Sequence, residues 1–252
     1  MRPVSLEEVV RAITVRRSLP THAVLVTFDD GDRSVLDVAA PILVEAGVPG
    51  VACVITSVLD TEDPFWWDEV VDLWQAGGRS VGSMFQDAGH LIRLLKRLPD
   101  EQRHQAIQEL RSTASSPARP RAQLKRDELA ELEAAGIEVA NHTMTHPCLP
   151  NCQPDAVDWE VRTAHETLRS IVGHAPRAFA YPNGDWDERA DSVLRELGYE
   201  VGFLFDHRIA RVSQQDQLRI SRLRVDDSAS LDRFAILVSG LHSSIHRLRG
   251  LN

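Results

Sequence analysis

The chain has 252 residues, with 28 basic side chains against 37 acidic ones and a formal net charge of -9. That length allows one large α/β domain or two small ones with a substantial core and no need for disulfides. The acidic balance repels a nucleic-acid backbone, which excludes nucleic-acid binding as a function class. Three cysteines, an odd number, argue for free thiols rather than a disulfide framework, and Cys53 in its apolar run reads as core.

The opening residues MRPVSLEEVVRAI carry Arg and Glu among their apolar positions, unlike the unbroken apolar stretch of a secretory signal. No later segment is long and apolar enough to span a bilayer, so a cytoplasmic protein is the expectation.

The first strand runs from Ala23 to Phe28 and leads straight into Asp29, Asp30 and Gly31. Two carboxylates thus stand at the C-terminal end of an apolar strand, where α/β folds place their ligand sites. Adjacent acids there are costly unless a cation or a proton relieves them. The competing reading is that Asp30 or Asp32 caps the helix expected over Ser34 to Ala46. A second strand follows at Gly50 to Ile55.

From Thr61 to Gln123 the rhythm breaks. This stretch holds an aromatic cluster (Phe65, Trp66, Trp67, Trp74), a Gly-rich turn and a charged helix from about His90 to Ser112, and is read as a helical insertion. The aromatics either pack the insertion onto the body or form a lid that stacks on a substrate ring.

A helix over Asp127 to Ala135 leads to a strand at Ile137 to Asn141, followed by His142-Thr143-Met144-Thr145-His146-Pro147. Imidazoles at this spacing can share one face of a helical turn and converge on one ion. One carboxylate with two imidazoles leaves coordination positions open for water and substrate, the mark of a catalytic rather than a closed site. The donor set suits zinc first, with cobalt, nickel or iron as alternatives. Cys148 and Cys152 offer a rival, a closed Cys2His2 site, which Pro147 and Pro150 constrain and which leaves Asp29 and Asp30 without a purpose.

Beyond lie a helix over Asp155 to Val172, a strand at Arg177 to Tyr181, a helix over Asp187 to Leu197 and a strand at Glu200 to Phe205. Continuous rather than alternating apolarity marks strands buried on both faces, and strand-helix alternation implies a parallel sheet or barrel. The last part is rich in arginine (Arg208, Arg211, Arg219, Arg222, Arg224), read as a locally paired surface or, alternatively, a phosphate-binding patch.

Thr27-Phe28-Asp29-Asp30-Gly31, His142-Thr143-Met144-Thr145-His146 and Phe179-Ala180-Tyr181-Pro182-Asn183-Gly184 together resemble the polysaccharide deacetylase family, the NodB-homology domain of carbohydrate esterase family 4. The resemblance covers most of residues 21 to 240 apart from the insertion. It implies a distorted, incomplete (β/α) barrel, a single domain over 1–252 with the insertion at about 61–123. It also implies Asp29 as general base, Asp30, His142 and His146 as ligands of a divalent metal, and a backbone N–H near Asn183 as oxyanion donor.

Two departures stand out. Many members have an Arg where Ala180 stands, and Arg222, in Ile220-Ser221-Arg222-Leu223-Arg224-Val225, resembles the substitute used in some branches. The family's Leu-x-His near the C-terminus has no clean counterpart; His242 is a candidate, with chance proximity the competing reading. Three readings of the missing acid stay open: a shortened gene product, another group or water as donor, or impaired catalysis. The implied reaction is hydrolysis of the acetamide of an N-acetylated amino sugar, with a glycan or small-molecule substrate as the partner. The alternatives are another amide or ester hydrolase (deformylase, cyclic amidase, O-acetyl esterase) and a non-catalytic sugar-binding homologue.

Overall fold

The structure is a computed structural model and describes residues 1–15, 17–80, 87–212, 215–226 and 228–240. In chain order it contains β1 (Arg2–Pro3), α1 (Leu6–Thr14), β2 (Ala23–Val24), β3 (Val26–Phe28), α2 (Ala40–Ala46), β4 (Gly50–Val54), α3 (Trp66–Gln75), α4 (Ala88–Leu95) and α5 (Asp100–Thr113). There follow α6 (Glu128–Ala134), β5 (Ile137–Asn141), α7 (Pro154–Val172), β6 (Ala178–Ala180), α8 (Glu188–Glu196), β7 (Val201–Phe203) and α9 (Leu231–Val238).

Strands β3 to β7 form one curled parallel sheet whose spatial order follows chain order, an open half-barrel with helical crossovers. The expected fold class is therefore observed. Alternate residues of one strand feed different cores, as a period of two requires. Val51 and Cys53 pack with Ala140, Ala178, Ala180, Val201 and Phe203 against Leu6, Val9 and Val10 of α1, while Ala52 and Val54 join Leu129 and Leu132 of α6. Both faces are covered, which is why these strands read as unbroken apolar runs.

The helices start and stop on local chemistry. Ser5 and Glu8 form a capping box on α1, Asp187 accepts the backbone N–H groups of Arg189 and Ala190 at the head of α8, and Gly173 takes the left-handed position that ends α7.

Three elements differ from the sequence reading. The strand expected over Ala23 to Phe28 divides at Leu25: β2 pairs with β1, and β3 pairs with β4. The helix expected over Ser34 to Ala46 opens with a wider π turn at Val35–Ala39 before α2. The charged helix expected from His90 to Ser112 is two helices, because Pro99 has no N–H to give and disfavours helical geometry at Leu98.

Helices α3, α4 and α5 lie between β4 and β5 and pack on each other around Val70, Leu73, Leu91, Leu95, Ile107 and Leu110. Asp72 of α3 ties this unit together, accepting from the Arg119 and Arg121 guanidiniums and from the Arg119 backbone N–H. Among the described residues no helix is long and apolar enough to cross a membrane.

Candidate active site

The C-terminal ends of β3, β5 and β6, with the segment after β7, converge on one rim of the half-barrel. Asp29 and Asp30 follow β3, His142 follows β5, and Ala180 ends β6. His142 N–H donates to Val54 O and Ile55 N–H donates to Asp30 O, so the parallel ladder itself sets the heights of these loops.

Asp30 adopts a left-handed backbone (φ 71°) followed by Gly31 (φ 73°), where a Cβ would meet Val54 at 3.1 Å. Thr143 (φ 69°), His146 (φ 56°) and Asn183 (φ 58°) share that sparsely populated region. Each such residue costs about 1–3 kcal/mol, a cost that surrounding structure must offset and that concentrates at functional sites. Here the offsetting contacts are visible. Asn141 Oδ1 accepts from Thr143 N–H at 2.7 Å, and Thr143 Oγ1 accepts from His146 N–H at 3.0 Å. The buried Glu160 carboxylate of α7 accepts from Met144 N–H (2.9 Å), Thr145 N–H (2.8 Å) and the Thr145 hydroxyl (2.5 Å).

Asp30 Oδ1 lies 3.3 Å from His142 Nε2 and 3.5 Å from His146 Nε2. Asp30, His142 and His146 each offer a ligand atom, all within 4.8 Å of one another, and they are the group among the described residues able to hold a metal. His142 Nδ1–H donates to Ala180 O at 2.8 Å, so Nε2 is the ring nitrogen that faces the carboxylate oxygen and can serve as a ligand atom. Two electron-pair donors at such a distance repel unless a cation or a proton intervenes, so the donor set fits a divalent metal. Burial disfavours a charged imidazole at both positions. At His142 the Asp30 and Asp29 carboxylates outweigh it and raise the pKa, whereas at His146 burial and the neighbouring His142 drive it well down.

Asp29 is gripped from the far side. Arg222 Nη1 and Nη2 donate to its two oxygens at 2.7 Å each, and Nη1 also donates to Thr27 Oγ1. Arg222 Nε donates to Leu204 O, and its guanidinium lies over the rings of Phe203 and Phe205. Burial alone raises the Asp29 pKa, but the Arg222 charge and the two imidazoles overcome it and lower it to about 2. Ala180 is fully buried at the end of β6. Arg222 arrives instead from the strand-like segment in which Ile220 bridges Phe203.

Two of the other arginines have acidic partners of their own. Arg224 pairs with Asp226, and Arg219 lies over the Trp186 ring and faces Asp191. Asp32, not Asp30, makes the local turn before α2, accepting from Ser34 N–H at 2.8 Å. Cys148 and Cys152 do not join the imidazoles: Cys148 Sγ accepts from Asn183 Nδ2 at 3.4 Å, and the Cys152 thiol points to Cys148 O. His242 lies outside the described residues.

The family profile described as polysaccharide deacetylase matches residues 16–202, most of the chain. The chain belongs to the polysaccharide deacetylase family. A chitooligosaccharide deacetylase of Bradyrhizobium sp. (strain ANU 289) is 46% identical over 71 residues, 28% of this chain and 32% of that protein. A poly-beta-1,6-N-acetyl-D-glucosamine N-deacetylase of Escherichia coli (strain K12) is 27% identical over 239 residues, 93% of this chain and 32% of that protein. The chain thus spans about a third of the length of these curated relatives. In fold it resembles the Streptococcus pyogenes deacetylase PplD in complex with acetate (TM-score 0.63, 20% identity, 93% of this chain and 78% of that one). It also resembles IcaB from Ammonifex degensii (TM-score 0.60, 22% identity, 94% and 82%). Polysaccharide deacetylases of this family are metal-dependent, and the Asp-His-His group is a possible metal site.

Two features of the site escape sequence reasoning. Glu160 sits at an ordinary helical position, and nothing local announces partners 15 and 16 residues upstream. Trp66 and Trp67 are visible as an aromatic cluster, but their neighbour His146 is set by tertiary contact: Trp66 Nε1–H donates to His146 O, and the Trp67 ring meets the His146 ring edge-on at 4.8 Å.

Proposed function

We propose that this chain is a metal-dependent N-deacetylase that hydrolyses the acetamide of an N-acetylated amino sugar within a glycan or a smaller metabolite. The observation that carries this reading is the meeting of Asp30, His142 and His146 around one point, with Asp29 held ionised beside them by Arg222.

Asp30, His142 and His146 would hold the divalent cation, which supplies Lewis-acid polarisation of the acetamide carbonyl. Zinc is favoured by the donor set, and cobalt, nickel and iron suit it as well. Asp29 is the general base: its pKa of about 2 keeps it charged at neutral pH, ready to take a proton from the attacking water. Arg222 fixes the orientation of that carboxylate through both oxygens, leaving the remaining lone pairs for the water.

The turn Tyr181 to Asp185 supplies the oxyanion donor. Gly184 N–H and Asp185 N–H are used inside the turn, by Tyr181 O and Pro182 O, and Pro182 has no N–H. That points to the amide of Asn183, whose left-handed backbone turns it out of the helical path. Cleavage of the C–N bond gives acetate and the protonated amine: one proton of the water passes to nitrogen by way of Asp29, and the second follows when the new carboxyl group ionises.

The relatives named for chitooligosaccharides and poly-beta-1,6-N-acetyl-D-glucosamine support a glycan of N-acetylglucosamine units as substrate. Cytoplasmic residence belongs to the same reading and is supported by the free thiols Cys53, Cys148 and Cys152.

The test is mass spectrometry of a panel of acetylated and formylated amino sugars incubated with zinc-loaded protein. Acetate release that falls at least about 100-fold in Asp29→Asn, with metal content unchanged, supports the assignment. Wild-type turnover in that variant removes Asp29 from the mechanism, and formate release in place of acetate assigns a different acyl group.

A further inference from the structure

Helix α7 reaches the His142 to His146 loop by a second route besides Glu160, through a buried network of three side chains. His165 of α7 is 4% exposed, Tyr199 between α8 and β7 is 2% exposed, and Asn141 at the end of β5 is wholly buried. Tyr199 Oη lies 3.1 Å from His165 Nδ1 and 2.7 Å from Asn141 Nδ2. Asn141 Nδ2 also donates to Val161 O at 3.1 Å, and Asn141 Oδ1 accepts the Thr143 N–H.

Each proton in this network has one possible direction. A backbone carbonyl only accepts and a backbone N–H only donates, so Val161 and Thr143 fix which end of the Asn141 amide is nitrogen and which is oxygen. One Nδ2 proton then goes to Val161 O and the other to Tyr199 Oη. The Tyr199 hydroxyl donates its own proton to His165 Nδ1, which is a bare lone pair on a neutral ring. Burial favours this state at both ends: it lowers the His165 pKa and pushes the Tyr199 phenol up, so the imidazole stays neutral and the hydroxyl keeps its proton at neutral pH.

The backbone that this network holds is strained. Thr143 is β-branched and has φ 69°, a conformation such residues rarely adopt. That conformation brings Thr143 Oγ1 to His146 N–H, and His146 is itself left-handed. An Asn141 amide free to turn about its Cβ–Cγ bond would release the Thr143 N–H, and with it the bond that sets His146. Glu160 secures the far edge of the loop at Met144 and Thr145, so the near edge depends on Asn141.

The structure assigns Tyr199 and His165 as positioning residues of the metal centre: acting through Asn141 and Thr143, they hold the His146 imidazole where it meets Asp30 and His142. This rests on the reading of Asp30, His142 and His146 as the metal ligands.

Tyr199→Phe removes one oxygen and keeps the ring, which packs edge-on with Phe179 at 6.1 Å and with His165 at 5.4 Å. His165→Leu removes the acceptor of the Tyr199 proton, and His165→Asn restores one, because an Asn Oδ1 stands close to the place of the imidazole Nδ1. The full chain and the three variants are stripped of metal with a chelator. Zinc affinity is then measured by competitive chelator titration, the visible absorption of the cobalt(II) form is recorded, and hydrogen exchange of amides 142–146 is followed in metal-free protein.

Tyr199→Phe and His165→Leu are expected to bind zinc about tenfold more weakly, the low end for lost outer-sphere support, with an altered cobalt band and faster loop exchange, while His165→Asn stays near wild type. Unchanged zinc affinity and cobalt absorption in Tyr199→Phe and His165→Leu, whatever their thermal stability, overturn the assignment, as does a loss in His165→Leu that His165→Asn fully shares. A wild type that takes up no zinc overturns the metal-site reading, and the metal-free loop then decides the network: faster exchange in Tyr199→Phe supports it and unchanged exchange overturns it.

Discussion

Replacing Arg222 by Met removes the charge that holds Asp29 while keeping much of the side-chain volume. Arg222 makes both of its short bonds to the carboxylate, and the Asp29 side chain keeps only 26% of its exposure. Removing one partner of a buried pair typically costs about 3–5 kcal/mol, and the water reaching Asp29 puts the expected loss near the low end, about 3 kcal/mol. The pH dependence has a definite sign. In the wild type Asp29 is depressed to about 2, so its stabilisation is present above the ordinary carboxylate range and is lost as pH falls through about 2. In Arg222→Met the burial that raises Asp29 has lost its main opponent, so the destabilisation is greatest at neutral pH and eases on acidification. Urea unfolding of chelator-treated wild type, Arg222→Met, Asp29→Asn and the double variant measures the coupling. Neutralising Asp29 in the Arg222→Met background should return about 2 kcal/mol. Effects that simply add, within about 0.5 kcal/mol, refute the claim that the two charges hold each other.

Three more expectations follow from particular contacts. Glu160→Leu leaves the loop amides of Met144 and Thr145 and the Thr145 hydroxyl without their acceptors, so zinc affinity should fall by about 10–100-fold in a competitive chelator titration, the range for lost outer-sphere support; unchanged affinity would show that the loop holds its shape without α7. Gly184→Ala puts a Cβ 2.3 Å from Phe205 Cβ at φ 78°, and should cost about 3 kcal/mol in thermal or urea unfolding, with a loss below about 1 kcal/mol arguing that the turn is free to move. Asp72 is held well below the usual carboxylate range, chiefly by its hydrogen bond with Arg119, so its stabilisation is present above the ordinary pKa and fades as pH falls through the depressed one. Asp72→Asn should therefore loosen α3 to α5 at neutral pH, seen as faster hydrogen exchange there, with the difference from wild type shrinking in acid; a pH-independent difference would assign the effect to packing.

The alternation of buried strands and helices is legible in the residue pattern, because strands covered on both faces must be apolar throughout and their crossovers must be amphipathic. That pattern also placed Asp29, Asp30, His142 and His146 at strand ends, since a parallel sheet gathers those ends on one rim whatever the helices do. Local chemistry of that kind is written within a few residues of where it acts. What tertiary structure alone decided lies in contacts between distant segments. Arg222 stands out in the sequence only through the family resemblance, and its contact with Asp29 spans 193 positions of chain, while Glu160 reaches the His142 to His146 loop from the interior of α7 with no such signal. Trp66 and Trp67 border His146 only because the insertion folds back over the rim. Strand Ala23 to Phe28 divides because its first half finds β1 and its second half finds β4, and the choice between two pairing partners is made by neighbours that the strand's own side chains do not encode.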